Sequence, residues 1–182
     1  QQWNETDIDI YKLGPQDTVP VNITDDVSLR QENPRIYGDI VVYQSNEIGD
    51  NYDIYIYDLT NSTKTQITEN LMDQQTPVIY GVLDTRIIAW TDSRSGGPPD
   101  IWADLPKIGE KQITSSPNFE DSPTIFENKI GFESALATGS SPVSSAFTQN
   151  SISLRGPSDL HLATITDLPT PIPATSAIGL AT

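Results

Sequence analysis

Apolar residues in this 182-residue chain recur in short runs with strand-like spacing. Ile40-Val41-Val42-Tyr43 is a nearly continuous β-branched run, the pattern of a strand buried on both faces. Asp53 to Asp58 alternates strictly, with Ile54 and Ile56 on one side and Tyr55 and Tyr57 on the other. Polar or Gly-containing segments (Gly38-Asp39, Asn46 to Asn51, Asn61-Ser62-Thr63) separate these runs as turns. Pro34 to Tyr37 reads as a short first strand and Lys64 to Thr68 as a more polar outer one. The same four-strand pattern returns at Val78 to Tyr80, Arg86 to Trp90, Asp100 to Asp104 and Lys111 to Thr114. No window sustains helical i, i+3, i+4, i+7 spacing, and 14 prolines interrupt the chain.

Three anchors recur in fixed order. An Asp opens an alternating strand at Asp9-Ile10-Tyr11, Asp53-Ile54-Tyr55, Asp100-Ile101-Trp102 and, more loosely, Asp159-Leu160-His161. A polar residue precedes Ile-Thr at Asn22-Ile23-Thr24, Gln66-Ile67-Thr68 and Gln112-Ile113-Thr114. A proline opens an apolar run at Pro34, Pro77 and Pro123. Ile23 to Ile67 spans 44 residues and Ile67 to Ile113 spans 46, while the prolines are spaced by 43 and 46. A period of roughly 40–45 residues carrying several short strands is the signature of a propeller blade. The expected fold is therefore all-β and β-propeller-like, with about three and a half to four four-stranded antiparallel blades. Residues 1–33 form an N-terminal arm and the last two strands of a blade; 34–76 and 77–122 are full blades. Residues 123–182 form an interrupted blade with a Ser/Ala/Thr-rich insertion at 134–158 and a Pro-rich C-terminal strand. The insertion reads as a solvated or glycan-bearing loop, or as a contact arm for a neighbour.

Pro34-Arg35-Ile36-Tyr37-Gly38-Asp39-Ile40-Val41-Val42-Tyr43, followed by Asp53-Ile54-Tyr55-Ile56-Tyr57-Asp58-Leu59, resembles the blades of TolB-like propellers and of propeller repeats in archaeal surface-layer proteins. The second copy matches at Pro77, Ile79-Tyr80-Gly81, Ile87-Ile88-Ala89-Trp90, Asp92-Ser93-Arg94 and Asp100-Ile101-Trp102. The resemblance is good over residues 34–122, partial over 9–33 and weak after 133. It implies a periplasmic or surface interaction platform, although propellers host many unrelated functions.

Composition narrows the partners. With 25 acidic against 10 basic residues the formal charge is −15, which repels nucleic acid and anionic membrane surfaces. No apolar run reaches the roughly 18 residues of a membrane helix, so membrane insertion is not expected. Cysteine is absent, which excludes thiolate chemistry and disulfides. The start at Gln1 reads either as a processed N-terminus or as the edge of a fragment. Three sequons, at Asn4, Asn22 and Asn61, are candidate glycosylation sites and point to an extracellular or cell-surface location.

Candidate chemistry is sparse. The single histidine, His161, lies in an alternating strand and reads as a strand residue rather than a base. Asp39, Asp50, Asp53, Asp92 and Asp100 fall at turns and strand starts, the pattern of structural turn formers, with Arg94 as a brace for Asp92. No catalytic residue is assigned, and an enzyme is not expected; a glycan-active enzyme using an acid pair is a distant third reading. Calcium is the one cofactor left open, with Asp50, Asp53, Asp92 and Asp100 as candidate oxygen ligands. Tyr43, Tyr55, Trp90 and Trp102 read as inter-blade core, the alternative being a sugar-stacking platform. Trp3 lies outside the repeat and is free to serve as a contact residue. The leading expectation is a non-catalytic surface protein that self-associates into a filament, sheath or surface layer, its partners being other copies of itself. The alternative is a soluble TolB-like module that binds surface proteins or glycans.

Overall fold

The computed structural model describes residues 7–25, 29–135 and, as backbone, 159–164. Thirteen strands are present among them. A two-stranded ribbon comes first, β1 (Tyr11–Lys12) with β2 (Val21–Asn22). The first blade is an antiparallel meander of β3 (Gln31–Tyr37), β4 (Ile40–Ser45), β5 (Asp53–Asp58) and β6 (Thr63–Gln66). The second blade repeats it with β7 (Gln74–Tyr80), β8 (Ile87–Asp92), β9 (Asp100–Leu105) and β10 (Gly109–Gln112). The third comprises β11 (Phe119–Phe126), β12 (Lys129–Ala135) and β13 (Asp159–Thr164). The first strands of successive blades adjoin, β3 beside β7 and β7 beside β11, so they line the axis towards which the blades converge. The sequence-expected C-terminal strand, most of the insertion and Trp3 lie outside the described residues.

Burial follows the distance from solvent within each blade. β4 and β8, second in their sheets, are buried along their whole length, whereas the outermost strands β6 and β10 are largely exposed. The core lies between blades. Ile40, Val42, Ile54 and Ile56 of the first blade pack against Ile79, Ile88 and Trp90 of the second. Ile87, Ala89, Ile101, Ala103 and Leu105 of the second pack against Ile130 and Phe132 of the third. Ile10 of the ribbon packs with Val41, Tyr43 and Tyr55. Alternate residues of one strand thus serve opposite interfaces, which explains why the second strands read as unbroken apolar runs.

The repeated Ile-Thr motif has a single geometric role. The Thr24, Thr68 and Thr114 hydroxyls each accept the backbone N–H of Ile10, Ile54 and Ile101 at 2.8 Å. The Ile before each threonine donates its own N–H to the carbonyl of that same residue, at 2.9, 2.7 and 2.8 Å. The fourth strand is therefore pinned to the start of the third at its end. From there the chain returns to the axis, where Gln31, Gln74 and Glu120 donate their N–H groups to the carbonyls of Ile8, Tyr52 and Pro99. Each acceptor directly precedes the repeated Asp of the preceding unit.

The first strands begin three or four residues before the repeated proline, at Gln31, Gln74 and Phe119. Apart from the exposed Phe119, polar residues occupy that added stretch, so hydrophobic spacing could not reveal it. Between it and the apolar half each strand carries a bulge, at Glu32/Arg35, Gln75/Val78 and Asp121/Thr124. Asn33, Thr76 and Ser122, each directly before the repeated proline, adopt positive φ of 54°, 51° and 53°. A non-glycine residue there is strained, and a following proline disfavours the conformation further. Its recurrence in three blades marks it as a fixed feature of the unit.

Replacing Thr114 with Val should leave the buried Ile101 N–H without its acceptor and destabilise the fold by about 1–3 kcal/mol. Urea unfolding should show a lowered midpoint with an unchanged m-value; an unchanged midpoint would deny the hydroxyl its locking role.

Candidate functional site

The repeated acids are placed first by the strand ends. Asp53 is buried and accepts from the Thr68 hydroxyl (3.1 Å) and the Asn70 N–H (3.4 Å). Burial is the leading influence on its carboxyl and pushes it above the ordinary carboxylate range, against the lowering effect of those hydrogen bonds. Asp9 takes the Asn22 amide at 2.8 Å, and Asp100 the Gln112 amide at 3.0 Å. Asp92 is fully buried and accepts from the Trp90 indole N–H at 2.8 Å. The Arg94 guanidinium clasps Asp92 through Nε and Nη2, reaches Glu110 through Nη1 at 2.8 Å, and lies 3.8 Å from the Trp102 ring centroid. Arg94 is thus the brace that its spacing suggests. Asp50 sits exposed in the turn before β5. The four calcium candidates are distributed over two blades, and no group of three or more His, Cys, Asp or Glu side chains among the described residues is placed to hold a metal.

Asn22 has its amide committed on both sides, to Asp9 and to the Thr24 N–H, at the part-buried end of β2. Asn61 lies in the exposed turn between β5 and β6, where its amide meets Asp58 at 2.9 Å. Asn4 lies outside the described residues. Tyr43, Tyr55 and Trp90 are buried between units, while Trp102 is half-buried beneath Arg94, so none of the four forms an open sugar platform. His161 stands opposite Phe132 in the register of β12 and β13.

Two features run across blades on the first strands. One is a polar relay at the bulges. Gln44 Oε1 accepts from the Asn33 amide (3.0 Å) and the Thr76 N–H (2.9 Å). The Thr76 and Thr91 hydroxyls meet at 2.8 Å, and Thr91 donates to Asp121 at 2.8 Å. The other is an aromatic ladder. Tyr37, Tyr80 and Phe126 each stand three residues after the repeated proline, where the first strand turns into the second. Ring centroids are 4.9 Å apart between Tyr37 and Tyr80 and 5.9 Å apart between Tyr80 and Phe126, with interplanar angles of 54° and 60°. Phe126 is 64% exposed, and exposed Val82 sits against Gly38 beside the first rung. The Tyr80 hydroxyl is pushed above its ordinary range by desolvation, then by Tyr37 and Glu127. Asp39, Asp84 and Glu127 are exposed in the same strand-connecting turns.

Strand periodicity assigns aromatics to the central strands, where they pack into the core, and so does not single out the ladder. Its signal is nonetheless present, as an aromatic three positions after each of Pro34, Pro77 and Pro123.

No protein-family model and no curated protein sequence matches the chain. Among solved structures it is similar to a protein assigned as TolB from Agrobacterium tumefaciens, with a TM-score of 0.60 and 22% identity over 85% of this chain and 52% of that one. It is also similar to TolB from Acinetobacter baumannii, with a TM-score of 0.57 and 22% identity over 72% of this chain and 33% of that one. The chain therefore spans about half of the first structure and a third of the second. These likenesses show its fold, a TolB-like β-propeller present as a partial ring.

Replacing Arg94 with Met should cost about 3 kcal/mol, because the fully buried Asp92 would lose its cationic partner. The Trp90 indole and the residue-94 N–H remain as partners and hold the cost at the lower end of the usual range. Thermal unfolding of R94M beside D92N/R94M checks this. The double variant should recover part of the loss, and equal losses in both would deny the brace.

Proposed function

We propose that this chain is a non-catalytic propeller module acting outside the cytoplasm, and that it binds a protein segment at the aromatic ladder. The observation that carries the reading is the row Tyr37–Tyr80–Phe126, one rung per blade at equivalent positions, with two half-buried tyrosines leading to the exposed Phe126. The tilt between rings creates notches that suit apolar side chains, whereas a sugar ring stacks on a flat exposed face. Exposed aromatic rings are the residues that dominate contact energies when a partner covers them. Acidic turns around the ladder and the net charge of −15 favour a segment carrying Lys or Arg beside its apolar anchors. The repeated carboxylates are engaged in bracing strand ends, which supports a binding rather than a catalytic role. An extracellular setting is supported by the three sequons and by the resemblance of the repeats. Self-association into a filament, sheath or surface layer keeps its basis in the repeat pattern, but no surface among the described residues favours it over binding a partner.

The test is a peptide array of basic-apolar sequences, followed by calorimetric titration of the selected peptides against the chain and its Phe126→Ala variant. Binding should weaken about tenfold, or about 1.4 kcal/mol, while the melting temperature falls only by the few degrees that loss of one ring pair costs. Peptides that bind both forms equally, or an array that selects nothing while neutral glycans bind, would remove the ladder from the function.

A further inference from the structure

Gln31 and Gln74 open the first strands of the first and second blades in full burial, 1% and 0% exposed. At the equivalent position of the third blade stands Glu120, also 0% exposed. An amide has been replaced by a carboxyl at one junction of a repeated structure. The Glu120 N–H donates to Pro99 O, so this carboxyl sits beside the start of β9, where Asp100 is 4% exposed. Glu120 Oε1 accepts from the Ser116 hydroxyl and Asp100 Oδ2 from the Gln112 amide. The remaining oxygens, Glu120 Oε2 and Asp100 Oδ1, have no hydrogen-bond partner among the described residues.

The surrounding elements offer these carboxyls little compensating charge. Asp92 on β8 lies directly opposite Asp100 and adds a third carboxylate. Arg94 is engaged by Asp92 and Glu110. On β10, Gln112 stands opposite Trp102, Lys111 opposite Ala103 and Glu110 opposite Asp104. On β12, Ser134 is opposite Glu120 and Glu133 opposite Asp121, with Asp159 of β13 next in register to Ser134. Two buried, like-charged carboxyls with vacant acceptors are poorly accommodated when both are ionised.

We propose that Asp100 and Glu120 form a protonation-controlled latch between the second and third blades. Uptake of one proton by the pair removes the like-charge repulsion between the two buried groups. Burial first, then the charge of Glu120, pushes the Asp100 carboxyl up to about 6. The sign follows from linkage: the folded chain holds a proton that the unfolded chain releases, so stability rises as pH falls through about 6. The gain is complete below the ordinary value of 3.8 and is lost above about 6. Glu120 and the Phe126 rung share β11, so a loosened junction above pH 6 also shifts the outer end of the ladder. That consequence rests on the binding reading; the latch does not.

The experiment is thermal unfolding between pH 5 and pH 8, with hydrogen exchange followed over residues 119–126. Wild type, Glu120→Gln, Asp100→Asn and Glu133→Gln are compared. Glu133 is exposed, so its variant reports the general effect of removing one charge from an acidic chain. Wild type and E133Q should melt several degrees higher at pH 5 than at pH 8, with exchange over 119–126 slowing in parallel. E120Q restores the amide of the other blades, so it should melt higher than wild type at pH 8 and lose part of the pH dependence, the burial of Asp100 keeping the rest. D100N should also flatten the profile, which keeps the test valid should either variant fold poorly. A slope in E120Q and D100N equal to that of E133Q would overturn the latch. So would a pH 8 melting temperature that rises with added calcium in wild type and E133Q but not in E120Q, since the pair would then hold a cation. Peptide binding at the ladder can fail while the latch holds, and the two outcomes are read separately.

Discussion

The structure depends on how the chain is held when it leaves the rim of one blade and returns to the axis. At that point three threonine hydroxyls, of Thr24, Thr68 and Thr114, take the N–H of the first apolar residue of the third strand. That acceptor and the backbone bond beside it fix the end of the fourth strand, since β6 and β10 are exposed and bring little apolar burial of their own. Pinning it fixes where the next inner strand begins, and the backbone bond to Ile8, Tyr52 or Pro99 completes the handover. The inter-blade core follows from this geometry. The second strands pack on both faces because neighbouring blades are delivered to them at a constant offset.

Much of that scheme is legible in the chain. The 44- and 46-residue spacings of the Ile-Thr anchors carry the blade period, because the lock needs the same side chain at the same place each time. The role of the acids is legible too: a carboxylate recurring at every strand start is a local acceptor, and Asp53 and Asp92 are found accepting from neighbours in their own sheet. What could not be read is the polar half of each first strand. Gln31 and Gln74 are as buried as any isoleucine, yet hydrophobic periodicity counts them as loop. The bulges were hidden for a related reason. A left-handed residue before proline runs against local preference, so only the surrounding sheet can hold Asn33, Thr76 and Ser122 there.

The bulges also explain why the first strands carry the two features that cross between blades. Each bulge turns a strand from a polar section facing one relay into an apolar section that ends on an aromatic rung. Gln44 and Thr91, on second strands, reach the bulge of their own blade and a neighbouring first strand, so the relay couples blades near the axis. At the opposite end of the same strands the coupling is apolar, through rings about 5–6 Å apart that are each worth about 0.5–1.5 kcal/mol per pair. The ladder therefore has two roles available to it. It adds to the contacts that join the blades, and it leaves its last rung uncovered.

Repetition makes deviations informative. Where three units share a residue, its cause is the unit; where one unit differs, the cause must be sought at that place. Glu120 is such a deviation. Keeping glutamine there would have cost nothing in volume and would have avoided a buried charge, since the two side chains are nearly isosteric. The burial of Asp92 shows how the same fold accommodates a buried carboxyl, by surrounding it with the Arg94 guanidinium and the Trp90 indole. Glu120 and Asp100 receive a hydroxyl and an amide instead, neither of which cancels charge. Two solutions to the same electrostatic problem, one blade edge apart, separate a carboxylate held in an ion pair from two that face each other without a cation.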